Sequence, residues 1–316
     1  MDKSSQSDCA LSRPEAERLL SQWQGRPVTC ECIKRLHGSG GGTVYRLDFH
    51  CPPFCAVAKL DAGPENSLLV RERNNMELVR KLTQVPAPRI YLEDSTRARF
   101  PYSVLLLEVL PGTNLKATEL TREQRDRVSV ELAETMLELH AHTRNSFGPA
   151  TSGPQRPRWS EVFLPKLAEL RDDMAEHLPA SALGNIDVAL AGARNLFVES
   201  GPATLVHGDL WAGNIMVYPE GRHWHLSGLV DWAALQYADV EYELSYLEAW
   251  STVTPSFFEK HATRIPPRAG HETRRLFYWL HTYMLHVWLF GEERYRRLAA
   301  ETADRIARNL AGGKTT

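Results

Sequence analysis

Apolar positions along this chain recur with two different spacings, and the change between them falls near residue 110. Before it the runs are short and strand-like. Residues 28–36 and 43–49 flank the glycine run Gly38-Ser39-Gly40-Gly41-Gly42, and Ala56-Val57-Ala58-Lys59-Leu60 forms a third run with one Lys inside it. Two helices interrupt. The first, from Ser12 to about Gly25, opens on a capping box with Ser12 as N-cap, Pro14 in the first turn and Glu15 reaching back. The second covers 66–82, where Leu68, Leu69, Met76, Val79 and Leu82 keep helical spacing and Glu72 falls within the apolar stripe. Val85-Pro86-Ala87-Pro88 breaks it, and 102–110 reads as an apolar strand closed by Pro111-Gly112. Beyond that point the spacing is helical: 123–142, 159–177, 180–199, 241–250 and a long stretch from 272. The pattern predicts an α+β chain, with strands and one key helix over 1–110 and a mainly helical part over 111–316.

Chemistry concentrates between the later helices. After the apolar run Ala203 to Val206 comes His207-Gly208-Asp209-Leu210-Trp211-Ala212-Gly213-Asn214, with a carboxylate and a side-chain amide five positions apart. That is the H-x-D-x-x-x-x-N spacing of a phosphoryl-transfer catalytic loop. An acceptor hydroxyl needs a carboxylate to orient it and take its proton, and a metal on nucleotide phosphates needs a nearby oxygen ligand. Asp209 fits the first role and Asn214 the second. A second metal carboxylate is expected at the end of a later strand, and residues 224–230 end in Asp231, with Pro219-Glu220-Gly221 as the turn between. Alone, each residue reads as an ordinary cap or strand end. Three in order around a hairpin outweigh that reading.

A Lys in an apolar strand needs a partner, and so does a Glu in an apolar helix stripe; Lys59 and Glu72 are therefore expected to satisfy one another, leaving a Lys donor for nucleotide phosphates. Without the downstream loop, a solvated Glu72 at the stripe's edge would be the better reading. Glycines at 40, 41 and 42 let backbone N–H groups approach phosphate oxygens. By itself such a run is more often only a flexible turn. The extended segment Glu108-Val109-Leu110 before Pro111-Gly112 suits a hinge whose backbone amides meet an adenine edge, and it marks the expected lobe boundary.

Composition narrows the partners. At 316 residues and 43% hydrophobic, the chain can bury a sizeable core. Lys+Arg 37 against Asp+Glu 39 gives a net charge of -2. Without a basic block there is no electrostatic case for nucleic acid or an anionic membrane, so a small-molecule substrate is expected. Residues 1–12 lack the apolar core of a signal peptide, and no run of 18 apolar residues occurs, so a cytoplasmic protein is expected. Four of the five cysteines pair as Cys30-x-Cys32 and Cys51-x-x-x-Cys55; a zinc clip or redox pair is conceivable, but the spacings miss the usual C-x-x-C and plain thiols are the expectation. His281 and His286, among Phe277, Trp279, Tyr283 and Trp288, read as packed structural residues, and His207 as a loop-fixing one.

With these pieces in order, the chain resembles the aminoglycoside phosphotransferase-like kinases, a branch of the protein-kinase-like fold, and within it the fructosamine kinases. The likeness covers nearly the whole chain and is most specific at His207 to Asn214, at Glu241-x-Glu243-Leu244, at Trp159 with Phe163, and at Leu285-His286-x-x-Leu289-Phe290-Gly291-x-x-x-Tyr295. It implies two lobes, an N-terminal antiparallel sheet with one key helix and a helical C-terminal lobe. It also implies that Asp209 is the catalytic base, that Asn214 and Asp231 hold Mg²⁺, that Lys59 with Glu72 positions the phosphates of ATP, that 108–110 receives adenine, and that Trp211 stacks on a sugar. Glu243 stands where the wider family has Asp, a position that anchors the catalytic loop. The glycine run is one residue shorter than G-x-G-x-x-G-x-V. Asp231-Trp232-Ala233 replaces Asp-Pro-Ala, and the stretch to Glu243 is a residue longer. The expected activity is ATP- and Mg²⁺-dependent phosphorylation of a hydroxyl on a sugar or glycated amine. The alternatives are an aminoglycoside, choline-type or other alcohol kinase, whose cationic acceptor requires an acidic pocket, and a nucleotide-binding pseudokinase.

Overall fold

The computed structural model describes residues 10–36, 42–63, 68–197 and 201–312; Gly40 and Gly41 lie outside them. The chain opens with α1 (Arg13–Gln24), β1 (Cys30–Leu36), β2 (Thr43–Phe49), β3 (Cys55–Asp61), α2 (Leu68–Leu82), β4 (Ile90–Asp94) and β5 (Ser103–Leu107). The strands form one antiparallel sheet in the order β1-β2-β3-β5-β4. The α1 capping box is present, with the Ser12 N–H donating to Glu15 Oε2 at 2.9 Å. A bulge between Cys30 and Cys32 breaks the register, burying the first and exposing the second, so the two thiols do not converge. Cys30, Cys32, Cys51 and Cys55 are free, and no group of three or more His, Cys, Asp or Glu residues that could hold a metal ion occurs among the described residues.

After the hinge come β6 (Thr113–Asn114), α3 (Arg122–His140), β7 (Thr143–Arg144), β8 (Gly148–Pro149), α4 (Ser160–Asp173), α5 (Ala180–Leu196), β9 (Ala203–Val206), β10 (Ile215–Glu220), β11 (His223–Leu229), β12 (Gln236–Ala238), α6 (Val240–Ala249), α7 (Pro255–Ala262), α8 (His271–Phe290) and α9 (Glu293–Gly312). The predicted hairpin around Pro219-Glu220-Gly221 is β10 with β11, to which β6 adds a third strand; β7, β9, β12 and β8 make a second small sheet. The long stretch expected from 272 is two helices, because Gly291 adopts φ 67° and ends α8. Periodicity misses the five-residue β4, the three-residue β12, the two-residue β6, β7 and β8, and α7, one short helix opened by Pro255. Among the described residues no helix is long and apolar enough to cross a membrane.

Two apolar clusters hold the molecule. One packs Ala16, Leu19 and Leu20 of α1 on Leu47, Phe49, Ala58 and Leu60 of the sheet. The other takes Leu105 and Leu107 from the sheet's opposite face, Leu69, Met76 and Val79 of α2, and the buried positions of the helical part. The change from sheet to helix at the hinge is therefore no break in the core. At the centre of the helical part Trp159 stacks on Phe163 with ring centroids 5.8 Å apart, Tyr278 meets Phe163 edge-on at 4.9 Å, and Trp159 Nε1 donates to Tyr278 Oη at 3.0 Å. Trp159→Ala empties that centre and should cost about 3–5 kcal/mol, read as a lowered urea midpoint in equilibrium unfolding.

Candidate active site

β9 delivers the chain into the loop at His207, and β10 takes it away after Asn214. Gly208 makes the turn possible: its φ is +84°, and a Cβ there would lie 2.3 Å from the Ala234 carbonyl oxygen. His207 is fully buried and ties the loop to the end of β11, bonding Val230 O through Nε2 at 3.1 Å and taking the Asp209 N–H at Nδ1 at 3.3 Å. Burial lowers its pKa, so it is neutral. Asn214 Nδ2 donates to the Asp209 carbonyl at 2.8 Å and to Asp209 Oδ2 at 3.2 Å. On the far side Tyr246 of α6 donates to Asp209 Oδ1 at 2.9 Å. Burial, with the Asp231 charge second, pushes the Asp209 carboxyl up to about 6.

Lys59 on β3 stands between two carboxylates: Nζ is 2.6 Å from Glu72 Oε1 and 3.3 Å from Asp231 Oδ1. Glu72 is 2% exposed, so its charge is tolerable only with this partner. Burial alone would lower the Lys59 pKa; Glu72 and Asp231 outweigh it and leave the ammonium raised. Asp231 takes the left-handed conformation, φ 66°, at the end of β11, which swings its carboxylate toward Lys59. Trp232, where proline was the family expectation, is wholly buried: its ring lies 4.5 Å from that of His207, and Nε1 donates to Leu229 O at 2.9 Å.

Lys59, Glu72, Glu108, Leu110, Trp211, Asn214 and Asp231 line one cleft of about 610 Å³, whose apolar walls are Val44, Val57, Leu107, Met216 and Val230. Asp209 stands beyond Asn214, outside that lining. In the hinge, Glu108 N–H donates to Arg89 O at 2.8 Å. The Glu108 carbonyl and the Leu110 N–H have no hydrogen-bond partner among the described residues. Gly42, just before β2, lies against the Leu60 carbonyl and does not line the cleft. Trp211 folds its six-membered ring over Gly213, where a Cβ would lie 2.3 Å from the indole, and carries Lys116 Nζ 4.9 Å from the ring centroid.

Sequence reasoning missed Tyr246, Lys116 and a histidine pair. Glu243 Oε1 accepts the Gly208 N–H at 2.8 Å, Glu243 Oε2 meets His140 Nε2 at 2.9 Å, and His140 Nδ1 meets His261 Nε2 at 2.9 Å. A carboxylate only accepts, so His140 carries a proton on Nε2. Burial brings His261 down to about 3, so that ring is neutral. No spacing along the chain links residues 121 positions apart. Asp239 and Glu241, by contrast, face away from the loop: Asp239 takes Arg268 at 2.6 Å and Tyr278 at 2.8 Å, and Glu241 takes Arg274 at 2.7 Å.

A buried Lys–Glu pair under an antiparallel sheet, a hinge, and an Asp/Asn loop facing a hairpin carboxylate define a protein-kinase-like phosphotransferase. The chain belongs to the phosphotransferase enzyme family, whose profile matches residues 55–277. It is 27% identical over 241 residues to a probable ketoamine kinase, YniA, of Escherichia coli, covering 74% of this chain and 79% of that one. Its fold is similar to that of a candidate fructosamine-3-kinase from Haemophilus somnus (TM-score 0.70, 14% identity, 92% of this chain and 96% of that chain). It is also similar to an aminoglycoside phosphotransferase, APH(4)-Ia, in complex with ADP and hygromycin B (TM-score 0.68, 15% identity, 92% and 97% covered).

Lys59→Met strands Glu72 in the core and should destabilise the protein by about 3–5 kcal/mol, while adding Glu72→Leu should return most of that loss. Urea unfolding of the four members of this cycle measures it; an additive double mutant would mean that the pair contributes nothing to folding.

Proposed function

We propose that the protein transfers the γ-phosphoryl group of ATP to a hydroxyl of a sugar-derived acceptor, a ketoamine before other classes. The observation that carries the reading is the arrangement at the cleft: Lys59, Asp231 and Asn214 line it around one end, and Asp209 is hydrogen-bonded to Asn214 just beyond. The apolar slot with its open hinge groups suits a purine. Lys59 holds phosphate oxygens, keeping donors free beside its two carboxylates. Asn214 uses its amide nitrogen on Asp209, which leaves the amide oxygen, and Asp231 is about one-third exposed. An amide oxygen and a carboxylate are hard ligands of the kind Mg²⁺ takes alongside phosphates and water. Bound there, Mg²⁺ would supply charge neutralisation on the phosphates. Asp209 orients the acceptor hydroxyl. As the acceptor oxygen forms its bond to the γ-phosphorus, the bond to the ADP oxygen breaks and the hydroxyl proton passes to Asp209. Trp211 offers its ring as a platform for the apolar C–H side of the sugar, once Lys116 moves off it.

The ketoamine preference rests on the relatives' names and on one structural point. A polycationic or choline-type acceptor needs an acidic pocket, and the carboxylates that would build it are engaged: Asp239 and Glu241 by arginines, and Glu248 by Arg275 at 2.8 Å. A pseudokinase acting as a scaffold has no need to keep Lys59, Glu72, Asp209, Asn214 and Asp231 together.

Coupled ADP release against fructosamines, free sugars, aminoglycosides and amino alcohols should respond to the fructosamines; a response confined to another class replaces the ketoamine reading. Asp209→Asn should lower kcat on the order of 10²–10⁴-fold with nucleotide affinity within a few-fold. Asp231→Ala should instead remove Mg²⁺-ATP binding in calorimetry, and an unchanged affinity would take Asp231 out of the metal site. Trp211→Ala should raise KM for the acceptor by the equivalent of about 1–3 kcal/mol and leave KM for ATP in place.

A further inference from the structure

Helix α6 serves two sides of the molecule. Glu243 and Tyr246 hold the 207–214 loop, at the Gly208 N–H at 2.8 Å and at Asp209 Oδ1 at 2.9 Å. Val240, Leu244 and Glu248, four positions apart and therefore on another face of the helix, line a separate cavity of about 1020 Å³. α7 and the segment 265–272 form further walls, and the end of α3 adds His140. Among the described residues this cavity shares no lining residue with the cleft of Lys59, and neither Asp209 nor Trp211 borders it.

The walls are mainly apolar, with Val253, Phe258 and Ile265, all partly buried, joining Val240 and Leu244. Leaving such side chains against water forgoes the stabilisation of burial, and the volume is at the upper end of the roughly 300–1,000 Å³ of small-molecule sites. The charges on the walls are already engaged. Arg268 is held by Asp239 at 2.6 Å and Glu241 at 3.2 Å, Arg275 by Glu248 at 2.8 Å and by Glu272, and His271 lies 3.5 Å from Glu241. No cation is left to receive a carboxylate, phosphate or sulfonate, and an unpaired anion is costly to desolvate. A cationic ligand would find only Glu259, which is exposed and already solvated. An uncharged molecule meets neither penalty.

Two lining residues lead from the cavity to the loop. His261 Nε2 meets His140 Nδ1 at 2.9 Å, His140 Nε2 meets Glu243 Oε2 at 2.9 Å, and Glu243 Oε1 accepts the Gly208 N–H at 2.8 Å. All three side chains are almost wholly buried, so a molecule seated against the histidines acts on this chain of bonds by packing. Hydrogen bonds shielded from water strengthen, and neighbours in a chain polarise one another. We infer that this cavity is a second ligand site, taking an uncharged, mainly apolar small molecule whose binding tightens the hold of α6 on Gly208 through His261, His140 and Glu243. The inference is independent of the acceptor and of the chemistry at Asp209.

The probe is N-phenyl-1-naphthylamine, uncharged at neutral pH and fluorescent in apolar surroundings, set against 8-anilinonaphthalene-1-sulfonate, which has the same rings and a fixed negative charge. The full chain should bind the first with saturable, blue-shifted emission and the second at least about ten-fold more weakly. Saturating ADP should leave the first probe bound. Ala262→Trp, which sets an indole on the cavity wall, should weaken it by about ten-fold or more at an unchanged melting temperature, and Val253→Trp repeats the test from a different wall. In hydrogen exchange at constant pH, saturating probe should slow the Gly208 amide about five-fold relative to the amides of β2. His261→Phe should keep the probe and lose that effect. Displacement by ADP, or full binding to both tryptophan variants, puts the probe elsewhere and overturns the site. Equal or tighter binding of the sulfonate overturns the ligand class, and Gly208 exchange that ignores the probe, or still responds to it in His261→Phe, overturns the relay. Absence of saturable binding also overturns the site; if sedimentation then shows a dimer that Ala262→Trp splits, the cavity is a contact between two copies of the chain.

Discussion

The ammonium of Lys59 is the constraint around which the cleft is arranged. It joins three segments far apart in the chain: β3, which carries it, α2, which supplies Glu72, and the turn after β11, which supplies Asp231. Two carboxylates so close would repel strongly without a cation between them, and a cation so buried would lose its proton without the carboxylates. Each makes the others possible. The left-handed turn at Asp231, a conformation few residues adopt readily, is held in the same arrangement.

A second lesson concerns acidic residues that crowd together in sequence. Asp239, Glu241 and Glu243 lie within five positions, yet they serve two ends of the fold. Asp239 and Glu241 close a buried ionic network with Arg268 and Arg274 that reaches Trp159 through Tyr278. Glu243, on another side of the same helix, fixes the loop through Gly208. Sequence proximity here builds no acidic pocket, because each carboxylate meets a different neighbour.

Much of this was legible in the residues alone. The strand and helix periods placed the sheet, α2 and most of the later helices, and the buried stripe position of Glu72 required a partner that Lys59 could be. The loop spacing brought Asp209 and Asn214 together, and the hairpin brought Asp231 toward them. What stayed hidden has a common cause. Tyr246 meets the loop, and His140 with His261 backs Glu243 behind it, through packing between distant elements, and nothing in their local patterns distinguishes them from ordinary core residues. Strands of two residues are too short to show a period. The two-helix ending escaped because Gly291, which ends α8, sits inside an otherwise continuous helical pattern.

The attachment of α2 restricts how the molecule can be controlled. That helix carries Glu72, yet its apolar face belongs to the same cluster as the C-terminal helices. Asn75, fully buried, donates to the Trp232 carbonyl at 2.9 Å and receives the Thr151 hydroxyl at 2.8 Å. A switch that swung α2 outward to part Glu72 from Lys59 would have to tear those bonds and expose Leu69, Met76 and Val79 together. The ion pair is thus assembled by the same packing that closes the core, and parting it by moving α2 would cost that packing as well.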